Sequence, residues 1–256
     1  YASIIVACCV GLSGGVATML TGDSSGVKAA KYQPMKLAAA EGLENGGPRA
    51  AFSIVPGVKI PAMLSILATH SVDGYVPGIN NIIEGYTDNE GNVELSVAEK
   101  MERGSQAIQS LKQYRENKES DPELAAAYLA DFRENEKYMG YGYLEKPEDV
   151  VPNVPLIFLS FRVMVGLGSF LMLLLVVLAW TSWKKKLEKY SWLQWVTLFS
   201  IPLVYLCGQA GWIVAEAGRQ PWTIQDLLPV NVAVSSLSAS SVQTTFFIFL
   251  SVFALF

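Results

Sequence analysis

Long apolar segments alternate with one extended polar segment along the chain. Four apolar runs stand out, at residues 3–22, 155–180, 193–215 and 230–256. Each comes close to or exceeds the roughly 20 residues that a helix needs to cross about 30 Å of hydrocarbon. Because backbone groups inside a bilayer must satisfy one another's hydrogen bonds, the pattern predicts four membrane-spanning helices rather than strands.

The polar segment, residues 23–153, holds most of the charge. It carries 20 of the 23 acidic residues and 13 of the 19 basic ones, so its net charge is negative, which disfavours nucleic-acid binding. The chain is 51% apolar and 16% charged, so the two characters are segregated. The sequence predicts an all-α membrane protein: a transmembrane helix over 1–22, a large, partly helical loop over 23–153 and three transmembrane helices over 154–256.

Basic residues predict the orientation. Lysines 184, 185, 186 and 189 fill the short connection between the second and third predicted spans, which the positive-inside rule places in the cytoplasm. The loop is then extracytoplasmic. All three cysteines lie inside predicted spans and offer the loop no disulfide framework: Cys8, Cys9 and Cys207. We therefore expect packing against the helices or a partner to hold the loop.

Helical patterns occur twice within the loop. Residues 32–44 predict a short helix, with Pro34 at its first position and Gly42 as its stop signal. Residues 96–139 predict an amphipathic helical hairpin, opened by a Ser96–Glu99 capping box.

Between these two helical segments lie residues 56–79. This stretch predicts a loop, because three prolines interrupt it.

Two charged residues lie in or at the edge of predicted spans. Such residues are costly in lipid and normally face a bundle interior, a partner or a cofactor. The first, Arg162, precedes Met164 by two positions. A thioether fills packing gaps well, but it is also a soft ligand for haem iron, and an arginine suits a haem propionate. Both interpretations of this pair stay open.

The second is Glu216, which follows Trp212 by one helical turn. Its carboxylate either reaches the outer interface and pairs with Arg219, or faces inward to bind a metal or relay protons. Gly218 and Pro221 are expected to break the helix and turn Arg219 towards the same cavity. The single histidine, His70, lies in a loop outside every predicted span, which argues against a haem-ligand role.

Four stretches, in order, carry a family resemblance: GDSSG with QPMKLAAAE at 22–41, VPGI at 76–79, FRVMVGLG at 161–168 and GWIVAEAGRQPWTIQDLLP at 211–229. They resemble subunit I of the cytochrome bd family of quinol oxidases. The resemblance covers the later part of that subunit: its sixth span, its long external quinol loop and spans seven to nine. The chain starts without methionine and ends in an apolar run, so we expect a piece of a larger or split subunit.

The resemblance implies a role for each matching residue. Met164 would be an axial ligand of the low-spin haem b, with Arg162 by its propionates. Glu216 would bind the iron of a high-spin haem, with Trp212 and Arg219 lining the oxygen-reducing pair.

At the outer face, Lys36 and Glu41 would belong to the quinol site, with Asp23 a further candidate at the membrane edge. A carboxylate there can accept a quinol proton while a lysine adjusts its charge state.

The resemblance further implies two b-type haems and one haem d, a bacterial or archaeal plasma membrane location, and the reduction of oxygen to water with release of quinol protons outside. Expected partners are the N-terminal part of subunit I or a split partner chain, a homologous subunit II and small single-span subunits. Two other classes remain open: a haem-free scaffold or assembly subunit, and a transporter or receptor whose external loop binds a ligand.

Overall fold

The computed structural model describes residues 25–55 and 57–255, and this part of the chain is mostly helical. Its helices are α1 Ser25–Tyr32, α2 Pro34–Glu41, α3 Met63–Thr69, α4 Ile79–Glu84, α5 Val97–Asn117, α6 Pro122–Asn135, α7 Val154–Trp183, α8 Ser191–Ala217 and α9 Ala239–Leu255. Short 3-10 helices cover Glu136–Tyr143, Pro147–Val150 and Leu187–Lys189. The predicted first span and Asp23 lie outside the described residues.

Three small antiparallel hairpins accompany these helices, and the described chain is mostly helical, consistent with the predicted all-α membrane protein. Their strands are β1 Phe52–Val55 with β2 Val58–Ile60, β3 Tyr86–Thr87 with β4 Val93–Glu94, and β5 Trp222–Ile224 with β6 Leu228–Pro229.

Helices α7 and α8 match the second and third predicted spans. They have 30 and 27 residues, and both are long and apolar enough to cross a membrane. They pack side by side and antiparallel: Leu178 meets Leu193 near the connecting turn, while Ile157 meets Val214 at the other end. The loop therefore joins both helices at the end opposite the lysine-rich turn.

The fourth predicted span is wrong at its start. Helix α9 begins only at Ala239 and continues to Leu255, the last residue that the structure describes. The preceding residues are rich in serine, whose hydroxyl competes with the helical backbone for hydrogen bonds. Ser238 marks the start of α9, because its Oγ accepts a hydrogen bond from the Ser241 N–H at 3.4 Å, as an N-cap residue does.

The loop confirms the predicted helical hairpin. Ser96 Oγ accepts from the Glu99 N–H at 3.2 Å, and the Glu99 carboxylate accepts from the Ser96 N–H at 3.0 Å, which is the predicted capping box. The second helix begins at its own cap, where the Asp121 carboxylate accepts from the Leu124 N–H at 3.1 Å.

The prediction of a loop over 56–79 is wrong in part, because strand β2 and helix α3 lie within it. The prolines permit both, since they flank these elements instead of interrupting them. Burial stabilises α3: Leu64 is buried, and Ser65 Oγ accepts a hydrogen bond from the Ala50 N–H at 2.8 Å.

The loop packs on the hairpin that follows α8. Tyr141 lies edge-on against Trp222 with ring centroids 4.9 Å apart, and its hydroxyl donates to the Asp226 carboxylate at 2.6 Å. Burial is the main cause that raises the pKa of the Tyr141 hydroxyl, so it remains a donor. This contact holds the C-terminal half of the loop beside the loop-side end of α8.

A close backbone approach fixes α5 on the 3-10 helix. A Cβ placed on Gly104 would overlap the carbonyl oxygen of Tyr138 and the backbone of Gly142. Glycine to alanine in an exposed helix normally stabilises by about 1 kcal/mol.

We therefore expect Gly104→Ala to reverse the usual sign and destabilise the hairpin by about 1–3 kcal/mol, because backbone atoms cannot yield as side chains do. Hydrogen–deuterium exchange of residues 97–143 in the assembled complex measures this. Gly47→Ala is the control, since a Cβ there meets nothing within 4 Å. Unchanged exchange in Gly104→Ala would contradict the packing described.

Candidate functional site

Helix α2 lies against the loop-side end of the two spans. Pro34 occupies its first turn, and Gly42 ends it in the left-handed conformation at φ 59°, as the sequence predicted. Its middle residues Ala38, Ala39 and Ala40 are buried. Because their side chains are small, the backbone of α2 approaches α7 closely.

The last residue of α2, Glu41, is a buried carboxylate. Its Oε2 accepts hydrogen bonds from Arg162 Nη2 at 2.9 Å and from the Ser53 N–H at 3.0 Å. Burial raises the pKa of Glu41, while the Ser53 hydrogen bond and the Arg162 charge oppose that shift. The site therefore holds a carboxyl group whose proton affinity is higher than that of a glutamate in water.

Arg162 reaches this carboxylate from within α7. Its Nη1 also donates to the Ala40 carbonyl oxygen at 2.9 Å, so one guanidinium binds both the side chain and the backbone at the end of α2. Three rings surround the guanidinium carbon at 4.2 to 5.4 Å from their centroids: Phe52, Phe158 and Phe161. Its Nε is buried without a hydrogen-bond partner among the described residues.

The sequence placed Arg162 in a haem environment and Glu41 in a quinol site, and did not connect them. They are 121 positions apart, and the chain offers no local pattern that pairs them. Phe158 and Ser53 were missed for the same reason.

Lys36 binds the other span. Its Nζ donates to the Ala215 carbonyl oxygen at 3.2 Å, in the last turn of α8, where a cation also complements the helix dipole. Burial is the main cause that lowers the pKa of Lys36; the Arg219 charge lowers it further, and Glu216 partly offsets both. The lysine stem lies on Gly218, where a Cβ would come within 2.9 Å of Lys36 Cγ.

Lys36 and Glu41 point to different sides of α2. Five positions along a helix correspond to a rotation of about 140°, so this divergence follows from their spacing. Beside Glu41 lies a cavity of about 220 Å³, which Ser53 and Lys59 also line and Lys36 does not. The structure thus brings Lys59, which the sequence did not single out, to the cavity, and brings Lys36 to the end of α8.

At that end, Glu216 pairs with Arg219. Arg219 Nη2 lies 3.3 Å from Glu216 Oε1, and the two side chains are 40% and 53% exposed, respectively. Trp212 is also exposed, one turn before Glu216. The carboxylate therefore forms an ion pair with Arg219 and remains about half exposed.

Met164 lies between the two spans. A Cβ on Gly211 would lie 3.3 Å from Met164 Sδ, and Cys207 Sγ donates to the Met164 carbonyl oxygen at 3.4 Å. His70 ends α3 and is exposed, in agreement with its placement outside the spans. Among the described residues, no group of three or more histidine, cysteine, aspartate or glutamate side chains could hold a metal ion.

The chain is similar to a known protein family and to individual proteins from two bacteria. The model of the family described as cytochrome bd terminal oxidase subunit I matches residues 1–256. The chain is 32% identical to the cytochrome bd-II ubiquinol oxidase subunit 1 of Escherichia coli (strain K12), over 94% of this chain and 49% of that protein. It is 29% identical to the cytochrome bd ubiquinol oxidase subunit 1 of Bacillus subtilis (strain 168), over 91% of this chain and 41% of that protein.

A third relative, the putative cytochrome bd menaquinol oxidase subunit I of Bacillus subtilis (strain 168), is 33% identical over 35% of this chain and 20% of its own. The chain spans about half the length, or less, of these curated relatives. Because the family model covers the whole chain, the protein belongs to the cytochrome bd terminal oxidase subunit I family.

Proposed function

We propose that this chain is the later part of a quinol oxidase subunit that oxidises membrane quinol at the outer face of a bacterial or archaeal plasma membrane. The observation that carries the proposal is the buried Glu41 carboxylate, which lines a cavity at the end of two apolar helices. A quinol bound in this cavity would place its ring hydroxyl near a group able to accept a proton.

Proton transfer is the chemistry that this site performs. Quinol oxidation releases two protons with two electrons, and a base within hydrogen-bond reach of the hydroxyl assists their departure. Burial raises the pKa of Glu41, which makes it a better acceptor than a glutamate in water. Ser53 and Arg162 hold the carboxylate in place, and Lys59 adds a positive charge at the cavity.

The donor set fits haem. The Met164 thioether is a soft donor that haem iron accepts, and the Glu216 carboxylate is about half exposed and accessible to a ligand. We propose that Met164 binds the iron of a low-spin haem b and Glu216 that of a high-spin haem, in a complex with two b-type haems and one haem d. When bound, these haems accept the quinol electrons and reduce oxygen to water.

The surrounding residues position these groups. Trp212 lies exposed one turn before Glu216, where its ring can pack on a macrocycle. The Nε atoms of Arg162 and Arg219 are buried without partners among the described residues, and both can donate to propionates.

The topology supports proton release outside. The Glu41 cavity lies at the loop-side end of the spans, and the lysine-rich turn lies at the other end. With that turn in the cytoplasm, quinol protons leave on the outer face and contribute to the proton motive force.

The proposed complex includes further polypeptide segments. We propose that the N-terminal part of subunit I, either in the same polypeptide or as a split partner chain, completes the haem sites, with a homologous subunit II and small single-span subunits beside it.

Replacing Met164 tests the haem proposal. We expect Met164→Leu to abolish or alter the low-spin haem band in reduced-minus-oxidised spectra of the assembled complex, because leucine has no donor atom. Met172→Leu, at an exposed position of α7, is the matched control. A parent complex with no haem bands would favour a haem-free scaffold or a transporter and reject the oxidase proposal.

Replacing Glu41 tests the proton acceptor. We expect Glu41→Ala and Glu41→Gln to slow quinol oxidation on the order of a hundredfold and to leave the haem spectrum nearly unchanged. In the parent, the rate falls as the pH drops through the raised pKa of Glu41, above the ordinary glutamate range, because only the ionised carboxylate accepts a proton. Glu44→Gln, on the exposed loop, should behave as the parent; equal turnover in all of these variants would place the acceptor elsewhere.

Replacing Lys36 tests on which side of α2 the quinol binds. Because it contacts α8 and does not line the Glu41 cavity, we expect Lys36→Met to increase hydrogen exchange in the last turn of α8 and to leave the KM for quinol within about twofold. Lys112→Met, at an exposed position of α5, is the control. A large rise in KM without a change in exchange would instead place Lys36 in the quinol pocket.

A further inference from the structure

We propose that Arg162 is the positioning residue of Glu41: from within α7 it orients the carboxylate towards the quinol cavity and keeps it ionised between turnovers. This inference rests on the proposed quinol oxidation and assigns Arg162 a role at the quinol site, in place of a role confined to a haem propionate.

Burial and geometry support the assignment. The Glu41 and Arg162 side chains are 1% and 9% exposed, so water does not solvate either charge well. Arg162 Nη2 lies 2.9 Å from Oε2, Nη1 lies 3.4 Å from Oε1, and Nη1 also binds the Ala40 carbonyl oxygen. This forked contact fixes the plane of the carboxylate and the end of α2 together.

Three aromatic residues restrict the conformation of the Arg162 side chain. Phe52 and Phe161 lie edge to face with centroids 6.4 Å apart, and with Phe158 they surround the guanidinium. Such rings attract the cation, exclude water and restrict the rotamers of Arg162. A lysine cannot reproduce a planar fork at this position, because its ammonium is a single point of charge.

Three elements contribute polar groups to the surroundings of Glu41. Arg162 Nη2 from α7 and the Ser53 N–H from β1 donate to its carboxylate, and Lys59 of β2 lines the cavity beside it. Lys36 faces α8 and is directed away. Arg162 is the only one of these cations within hydrogen-bond distance of the carboxylate in the described chain, so its removal should change the ionisation of Glu41 most.

The experiment compares Arg162→Gln and Arg162→Lys in the assembled complex, with kcat/KM for a short-chain quinol measured across pH. Without the guanidinium the carboxylate takes up its proton at higher pH. We expect Arg162→Gln to move the acidic limb of the profile upward by about one to three pH units, and Arg162→Lys to move it by less. At a pH between the acidic limb of the parent and that of Arg162→Gln, kcat/KM of the variant should be about tenfold or more below that of the parent.

A spectroscopic readout separates positioning from a general structural effect. Infrared difference spectra on changing the pH should show the protonated carboxyl band of Glu41 at a higher pH in Arg162→Gln than in the parent. The double variant with Glu41→Gln should lose that band and show no further shift of the acidic limb. Lys59→Gln is the control for a cation that lines the cavity without contacting Glu41, and its shift should be smaller than that of Arg162→Gln.

Two outcomes would overturn the inference. One is an unshifted acidic limb in Arg162→Gln with altered low-spin haem bands, which would restrict Arg162 to the haem. The other applies if Arg162→Gln does not assemble. In that case, an Arg162→Lys variant that keeps the pH profile and the infrared band of the parent would overturn the inference. Absence of quinol oxidation in the parent complex would reject the proposed function itself, a result distinct from either of these.

Discussion

A buried carboxylate–guanidinium pair joins the polar loop to the membrane helices. Two charges removed from water are stabilised chiefly by each other and by the further hydrogen bonds that they make, so Glu41 and Arg162 constrain the residues around them. The alanines of α2 allow the approach, Gly42 ends the helix at the right residue, and the Ser53 N–H brings the β1–β2 hairpin over the carboxylate. Lys36 completes the attachment by binding the end of α8.

Sequence reasoning succeeded where the determinants are local. Two spans follow from hydropathy alone. Both ends of α2 follow from Pro34 and Gly42, and the start of α5 follows from the Ser96 capping box. It failed where local preferences compete: serines delay the start of α9, and prolines taken as breakers flank β2 and α3.

The candidate site could be predicted in part. The family resemblance singled out Lys36, Glu41, Arg162 and Glu216, but it could not say which of them meet. The Glu41–Arg162 contact depends on tertiary packing across 121 positions, and the divergence of Lys36 from Glu41 depends on which face of α2 meets each span. A sequence motif specifies which residue types occur at a given spacing. A contact between distant residues depends in addition on how whole helices are placed relative to each other.

The loop is anchored at two places, by α2 on the spans and by Tyr141 on the Trp222–Asp226 hairpin. Between these anchors the α5–α6 hairpin contributes no lining residue to the Glu41 cavity, whose lining belongs to α2, β1, β2 and the turns between them. Length changes at the hairpin tip therefore cost the protein little, because loop closure depends weakly on length. Evolution can lengthen or shorten this outer arm without redesigning the chemistry at its base.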